Sequence, residues 1–95
     1  MFLIQYVGFE ARVTMREYSY RIVDPSVGER TVILTISNDA FQTKLVRYQD
    51  APAICYQRVK KELEAETSSH PLRRRIALSE TELSEYRAAH PLAKR

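Results

Sequence analysis

The sequence predicts an α+β fold: an antiparallel β-hairpin or a three-stranded curved sheet, followed by two or three short helices packed on one face. Three observations lead there. The first half, Met1 to Asp50, is rich in β-branched and aromatic residues, whereas the second is rich in Ala, Glu, Leu and Arg. Between Phe9 and Ser37 apolar and polar residues alternate with a period of two, as in strands with one buried and one wet face. Beyond Asp50 the apolar residues recur at helical spacing, behind recognisable helix-start signals. A chain of 95 residues has room for one small domain, 1–95, with a sheet part over about 1–38 and a helical part over about 39–92.

Taken in order, Phe2 to Val7 reads as a first strand broken at Gly8, the element that makes the sheet three-stranded. Phe9, Ala11, Val13 and Met15 then alternate with Glu10, Arg12, Thr14 and Arg16, after which Tyr18, Tyr20 and Ile22 carry the apolar series at even numbers. A single strand changes phase only by taking up an extra residue, which predicts a bulge or sharp bend near Arg16 and Glu17. Asp24-Pro25-Ser26-Val27-Gly28 has the composition of a turn. Thr31 to Ser37 returns with Val32, Leu34 and Ile36 on one face and completes the hairpin. Because that hairpin is whole from Met15 onward, Met15 is an alternative start to Met1.

Asn38 or Asp39 is placed to cap a short helix with Phe41, Leu45 and Tyr48 on one face, although Lys44 to Tyr48 suits a strand equally well. The next helix is better marked. Asp50 precedes Ala51-Pro52, proline is accepted in a first turn, and Cys55, Val59 and Leu63 repeat every four residues. Thr67-Ser68-Ser69-His70-Pro71 ends it. In the last helix Ser79 and Glu82 form a capping box, with Leu78 and Leu83 placed as a hydrophobic staple and Leu83 and Tyr86 on the inner stripe. His90-Pro91 stops this helix.

Composition excludes several classes of function. Apolar runs such as Phe2-Leu3-Ile4 fall far short of the roughly 20 residues of a membrane span. The N-terminus lacks the basic segment of a secretory leader, so a cytoplasmic location is expected. Two glycines, Gly8 and Gly28, exclude a glycine-rich phosphate loop. One cysteine makes no internal disulfide, and no Cys/His cluster is spaced to hold zinc, so no cofactor is expected. No carboxylate pair, Ser/His/Asp arrangement or histidine-glutamate metal motif stands at a diagnostic spacing, so no catalytic residue is assigned.

The remaining candidates concern binding. Net charge is +3, and the whole excess follows Asp50, where nine basic residues face six acidic ones. Arg73, Arg74 and Arg75, with Lys94 and Arg95, are the candidate contacts to nucleic acid. Arg16, Tyr18, Tyr20 and Arg21 interleave basic and aromatic groups as in single-strand binders. Tyr18 and Tyr20 share a face with Ile22, however, and with Tyr86 they are the candidate subunit interface. His70-Pro71-Leu72 and His90-Pro91-Leu92 repeat one another, as a metal or proton-relay pair or as helix punctuation; punctuation accounts for the prolines. Cys55 lies on an apolar helical stripe, the setting of a small hydrophobe rather than of a nucleophile.

Thr31 to Ser37 with the two candidate helices after it, over Thr31 to Glu66, resembles, loosely, the ribbon-helix-helix DNA-binding proteins. The resemblance implies that a strand from each of two subunits pairs into a ribbon that enters the major groove. Thr31, Ile33 and Thr35 would then face the bases, and Val32, Leu34 and Ile36 the helices. The chain departs from that pattern in giving its strand an in-chain partner, Tyr18 to Val23. The function expected first is a non-catalytic protein-protein interaction or self-associating module, a homodimer. A nucleic-acid-binding regulator is the alternative, and an enzyme comes third.

Overall fold

The computed structural model describes residues 2–26 and 28–89. Four strands form one mixed sheet in the order β1-β2-β3-β4, with short helices accompanying it, as expected of a small α+β fold. The strands are β1 (Leu3–Ala11), β2 (Met15–Asp24), β3 (Gly28–Ser37) and β4 (Arg75–Ala77); the helices are α1 (Asn38–Gln42), α2 (Ala51–Glu64) and α3 (Glu80–Ala89).

The hairpin stands where the alternation puts it. Tyr18 pairs with Leu34 and Tyr20 with Val32, so the two apolar series lie side by side on one face. Gly28 opens β3 with φ +95°, a left-handed conformation that a side chain would strain. The expected bulge near Arg16 and Glu17 is not there. The chain instead reverses at Arg12 to Thr14, where the Arg12 N–H donates to the Met15 carbonyl at 2.7 Å. Phe9 then pairs with Tyr18 and Ala11 with Arg16, so odd residues of β1 face even residues of β2. The change of phase is a change of strand. The irregularity in register lies in β1 itself, between Tyr6 and Gly8, and the strand runs on through Gly8 instead of ending there.

A fourth strand comes from the half of the chain read as helical. The Ile33 N–H donates to the Arg74 carbonyl at 2.8 Å and the Leu78 N–H to the Thr35 carbonyl at 3.0 Å, which docks β4 parallel to β3. Three residues with one buried side chain, Ile76, carry too little periodicity to stand out in sequence. Parallel neighbours need a long crossover, and the segment holding α1 and α2 is that crossover.

α1 stops after five residues. Ser37, not Asn38 or Asp39, caps it, its Oγ accepting from the Asp39 N–H at 3.2 Å. Lys44 then takes φ 62°, which ends the helix, so Leu45 and Tyr48 follow in turns and neither the longer helix nor the strand forms. Asn38 is better used elsewhere: its side-chain amide donates to the Val13 carbonyl at 3.0 Å and steadies the β1–β2 turn. The capping box of α3 is present, with the Glu82 N–H donating to Ser79 Oγ at 3.1 Å and the Ser79 N–H to Glu82 Oε1 at 3.4 Å.

One face of the sheet carries the core. Tyr18, Tyr20, Ile22, Val32, Leu34, Ile36 and Ile76 are buried beneath Ala51, Ile54, Cys55, Val59 and Leu63 of α2, with Phe41, Leu78 and Leu83 closing the sides. The Tyr20 hydroxyl reaches through this layer and donates to the Pro52 carbonyl in the first turn of α2. Two ion-paired arginines tie the periphery. Arg58 of α2 bonds Glu62 and also Glu82 of α3, while Arg30 of β3 bonds Glu66, which accepts the Leu72 N–H as well. Replacing Tyr20 with phenylalanine keeps the ring and removes the donor. Urea unfolding is expected to show a loss of about 1 kcal/mol for Tyr20→Phe.

Candidate functional site

The candidate interface is corrected first. Tyr18 and Tyr20 are 1% and 0% exposed and belong to the core of the chain, so neither offers a surface to a partner. Sequence alternation establishes that they share a face with Ile22, and the helix layer covers that face. Tyr86 sits half-buried on α3, packed against the same core. The Arg16–Arg21 strip likewise does not form one surface. Arg16 lies on the covered face with Tyr18 and Tyr20, and Arg21 points from the other face, where it pairs with Glu29 at 3.4 Å.

The basic candidates divide. Arg73 and Arg74 are exposed beside β4. Arg75 is neutralised, its Nη2 donating to Glu17 Oε2 at 2.5 Å. Lys94 and Arg95 lie outside the described residues, as does His90. His70 is exposed in the loop after α2, where its backbone closes a two-way bridge with Thr67. The ribbon arrangement finds no room. β3 is an interior strand, with β2 on one edge and β4 on the other at Ile33 to Thr35, and Thr35 is buried.

The open face of the sheet is charged but balanced. Glu17, 13% exposed at its side chain, accepts from Arg75 and from Arg12, and Arg12 also reaches Glu10 at 2.7 Å. The Arg75 hydrogen bond in particular holds the Glu17 carboxyl below its ordinary value. Cys55 is fully buried, and burial pushes its thiol up to about 12, so it is a packing residue. The hollow bordered by Leu45, Val46, Ile54 and Tyr86 leaves about 20 Å³, far below what a small-molecule site needs, and wider ones such as that along Tyr56, Lys60 and Glu64 of α2 lie open to solvent. Among the described residues no three His, Cys, Asp or Glu groups converge as metal ligands, and no helix is long and apolar enough to cross a membrane.

What remains is an edge. β1 is nine residues long and, among the described residues, paired on one side alone. Leu3, Tyr6, Val7 and Phe9 are 54%, 45%, 65% and 48% exposed, and Glu10 is the strand's one charged residue. Proteins usually protect such an edge with lysines, prolines or a covering loop, and none of these is in β1. No known protein family, curated protein or solved structure matches the chain. Sequence reasoning recognised a candidate strand at Phe2 to Val7 but had no means of knowing that it would be outermost. The signal available was its length without a charge before Glu10.

Two consequences are measurable. Glu17 has a depressed carboxyl pKa in the folded chain, so its contribution is complete above the ordinary value of 4.5 and is lost as the pH falls through the folded-state value. Thermal unfolding of Glu17→Gln is expected to lie below that of the native chain at neutral pH, with the gap closing in acid. The Cys55 thiol is expected to resist Ellman's reagent in the folded chain and to react completely in denaturant.

Proposed function

We propose that this chain is a non-catalytic self-associating module, a homodimer formed by pairing β1 with β1 of a second copy. The observation that carries the reading is the long, apolar, unprotected edge of β1. Its open backbone groups are a template for another strand along about 30 Å. A second copy is favoured over a foreign strand because the edge is self-complementary. Antiparallel pairing about a two-fold axis between Val7 and Gly8 sets Tyr6 opposite Phe9 of the second copy and Ile4 opposite Ala11. Glu10 then meets Gln5, so no like charges face each other. Ile4, Tyr6, Phe9 and Ala11 all belong to the helix-side face of the sheet, through their register with Ile22, Tyr20, Tyr18 and Arg16. The pairing therefore joins two sheets into one of eight strands with like faces together. Such a module suits the cytoplasm, where a lone buried thiol stays reduced.

A nucleic-acid reading has a narrower basis. It draws on Arg73 and Arg74, which are exposed and have no acidic partner among the described residues. Neighbouring Arg75 is already paired, and the outer sheet face alternates in sign.

Molar mass measured over a concentration series tests the first reading, with twice 11.1 kDa expected for the native chain. Val7→Lys puts a charge on the edge and is expected to weaken the dimer by about tenfold or more. Val13→Lys, at a position 95% exposed in the β1–β2 turn, is expected to leave it unchanged. A native chain that stays monomeric, or a Val7→Lys chain that dimerises as well as the native one, overturns the reading. A salt-sensitive complex with mixed-sequence nucleic acid that Arg73→Ala and Arg74→Ala abolish would favour the second.

A further inference from the structure

Arginines in this chain that are partly withdrawn from water have found carboxylates, with one exception. Arg30 is paired with Glu66, Arg47 with Asp50 and Arg58 with Glu62 and Glu82. Arg16 is equally half-buried, yet no acidic group among the described residues bonds it. Its hydrogen-bonding capacity is almost unused. Nη1 donates to the Tyr18 hydroxyl at a long 3.5 Å, and the other four N–H groups of the guanidinium have no protein acceptor among the described residues.

Aromatic rings hold the guanidinium in place. Its carbon lies 4.2 Å from the centroid of Phe9 and 4.2 Å from that of Tyr48, with Phe41 at 5.6 Å. Phe41 and Tyr48 stack on each other at 4.5 Å and 8°, so the support is itself rigid. Three separate elements contribute: β1 gives Phe9, α1 gives Phe41, and the turn after α1 gives Tyr48. The left-handed Lys44 that ends α1 is what brings Tyr48 back over Phe41. Two of the rings remain open to solvent, Phe9 at 48% and Tyr48 at 58% exposed, and Tyr6 extends the aromatic surface through its contact with Tyr18.

We propose that Arg16 is the anchor of a binding site for a single carboxylate carried on an apolar body, with Phe9 and Tyr48 as the walls that receive that body. A guanidinium fork matches a carboxylate with two parallel charge-assisted hydrogen bonds. Holding the fork against rings removes the rotamer entropy that binding otherwise costs. A phosphate fits less well, because the ring cluster holds one cation and no ring of backbone N–H groups. Phe9 also lies opposite Tyr6 of the second copy in the pairing proposed above, whereas Arg16, Phe41 and Tyr48 lie outside β1, so the anchor and the Tyr48 wall do not depend on that pairing. Free small carboxylates and the C-terminal carboxylate of a peptide share this chemistry.

The test titrates the full chain, at constant ionic strength, with N-acetylphenylalanine, its amide, a short peptide ending in free phenylalanine, and inorganic phosphate. The side-chain Nε–H resonance of Arg16 is the readout. The two carboxylates are expected to shift it saturably in the millimolar range, and the amide to leave it in place. Tighter binding of the peptide than of the amino acid identifies a polypeptide terminus as the source, and the reverse order a small molecule. Backbone amides of Phe9 and Tyr48 report binding in the variants. Arg16→Lys keeps the charge and loses the fork, and is expected to weaken binding by about tenfold. Tyr48→Ala is expected to weaken it several-fold, with an otherwise native spectrum. The inference is overturned if the amide binds like the acid, if phosphate binds more tightly than either carboxylate, or if Arg16→Lys binds unchanged. Equal shifts at Arg73 and Arg74 would also overturn it, as the mark of unselective attraction to positive charge.

Discussion

The structure rests on one apolar contact, that between the β2–β3 face and the inner stripe of α2. Tyr18, Tyr20, Val32 and Leu34 lie in register across the two strands, and Ile54, Cys55, Val59 and Leu63 cover them. A small chain has little apolar area to remove from water, so most of it must be gathered at one place. Every other element is positioned by this contact. β4 is drawn to the free edge of β3 because Ile76 can join the same core, and α3 follows through Leu78 and Leu83. Two tyrosines at the centre are unusual tenants for so small a core. The hydroxyl of Tyr20 is satisfied by the Pro52 carbonyl, while that of Tyr18 lies near Arg16.

Placing the core between β2, β3 and α2 has a consequence for β1. The strand pairs with β2 from Leu3 with Val23 to Ala11 with Arg16, and α2 passes close to it, yet at this margin of the sheet its side chains are only partly covered. That margin is where the molecule's exposed apolar surface collects, from Leu3 through Tyr6 and Val7 to Phe9. The opposite margin is different in kind: β4 is three residues long and flanked by Arg73 and Arg74. Short length and positive charge are the ordinary means of keeping an edge from pairing. One edge of the sheet is protected and the other is not. Electrostatics on the open face adds little to this, since Glu10, Arg12, Glu17 and Arg75 neutralise one another and exposed pairs of this type stabilise weakly.

Arg16 shows how the same residue can be read in two ways at two levels. In sequence it stands with Tyr18, Tyr20 and Arg21 as a basic and aromatic strip. In the fold it leaves that strip and joins Phe9, Phe41 and Tyr48, residues far from it along the chain. Spacing within a strand predicts which side chains share a face, but it says nothing about which distant rings will meet them. The turn that brings Tyr48 to Phe41 depends on Lys44 adopting a left-handed conformation, and lysine is not a residue that announces one.

Elements whose signals are local are legible in the amino-acid sequence. Alternation placed the hairpin, Asp50-Ala51-Pro52 and the four-residue repeat of Cys55, Val59 and Leu63 placed α2, and Ser79 with Glu82 placed the start of α3. These depend on dihedral preference, capping and periodicity within a few residues, so they can be read without the fold. Packing between distant segments set the rest. It turned an apparent bulge at Arg16 and Glu17 into a reversal at Arg12 to Thr14, and it added β4 from a segment with one buried residue. It buried Tyr18 and Tyr20, and it left β1 at the edge. Each of these outcomes depends on which surface lies next to which. Burial is a property of that packing, and one chain's alternation is the same whether a strand ends up inside a sheet or at its margin.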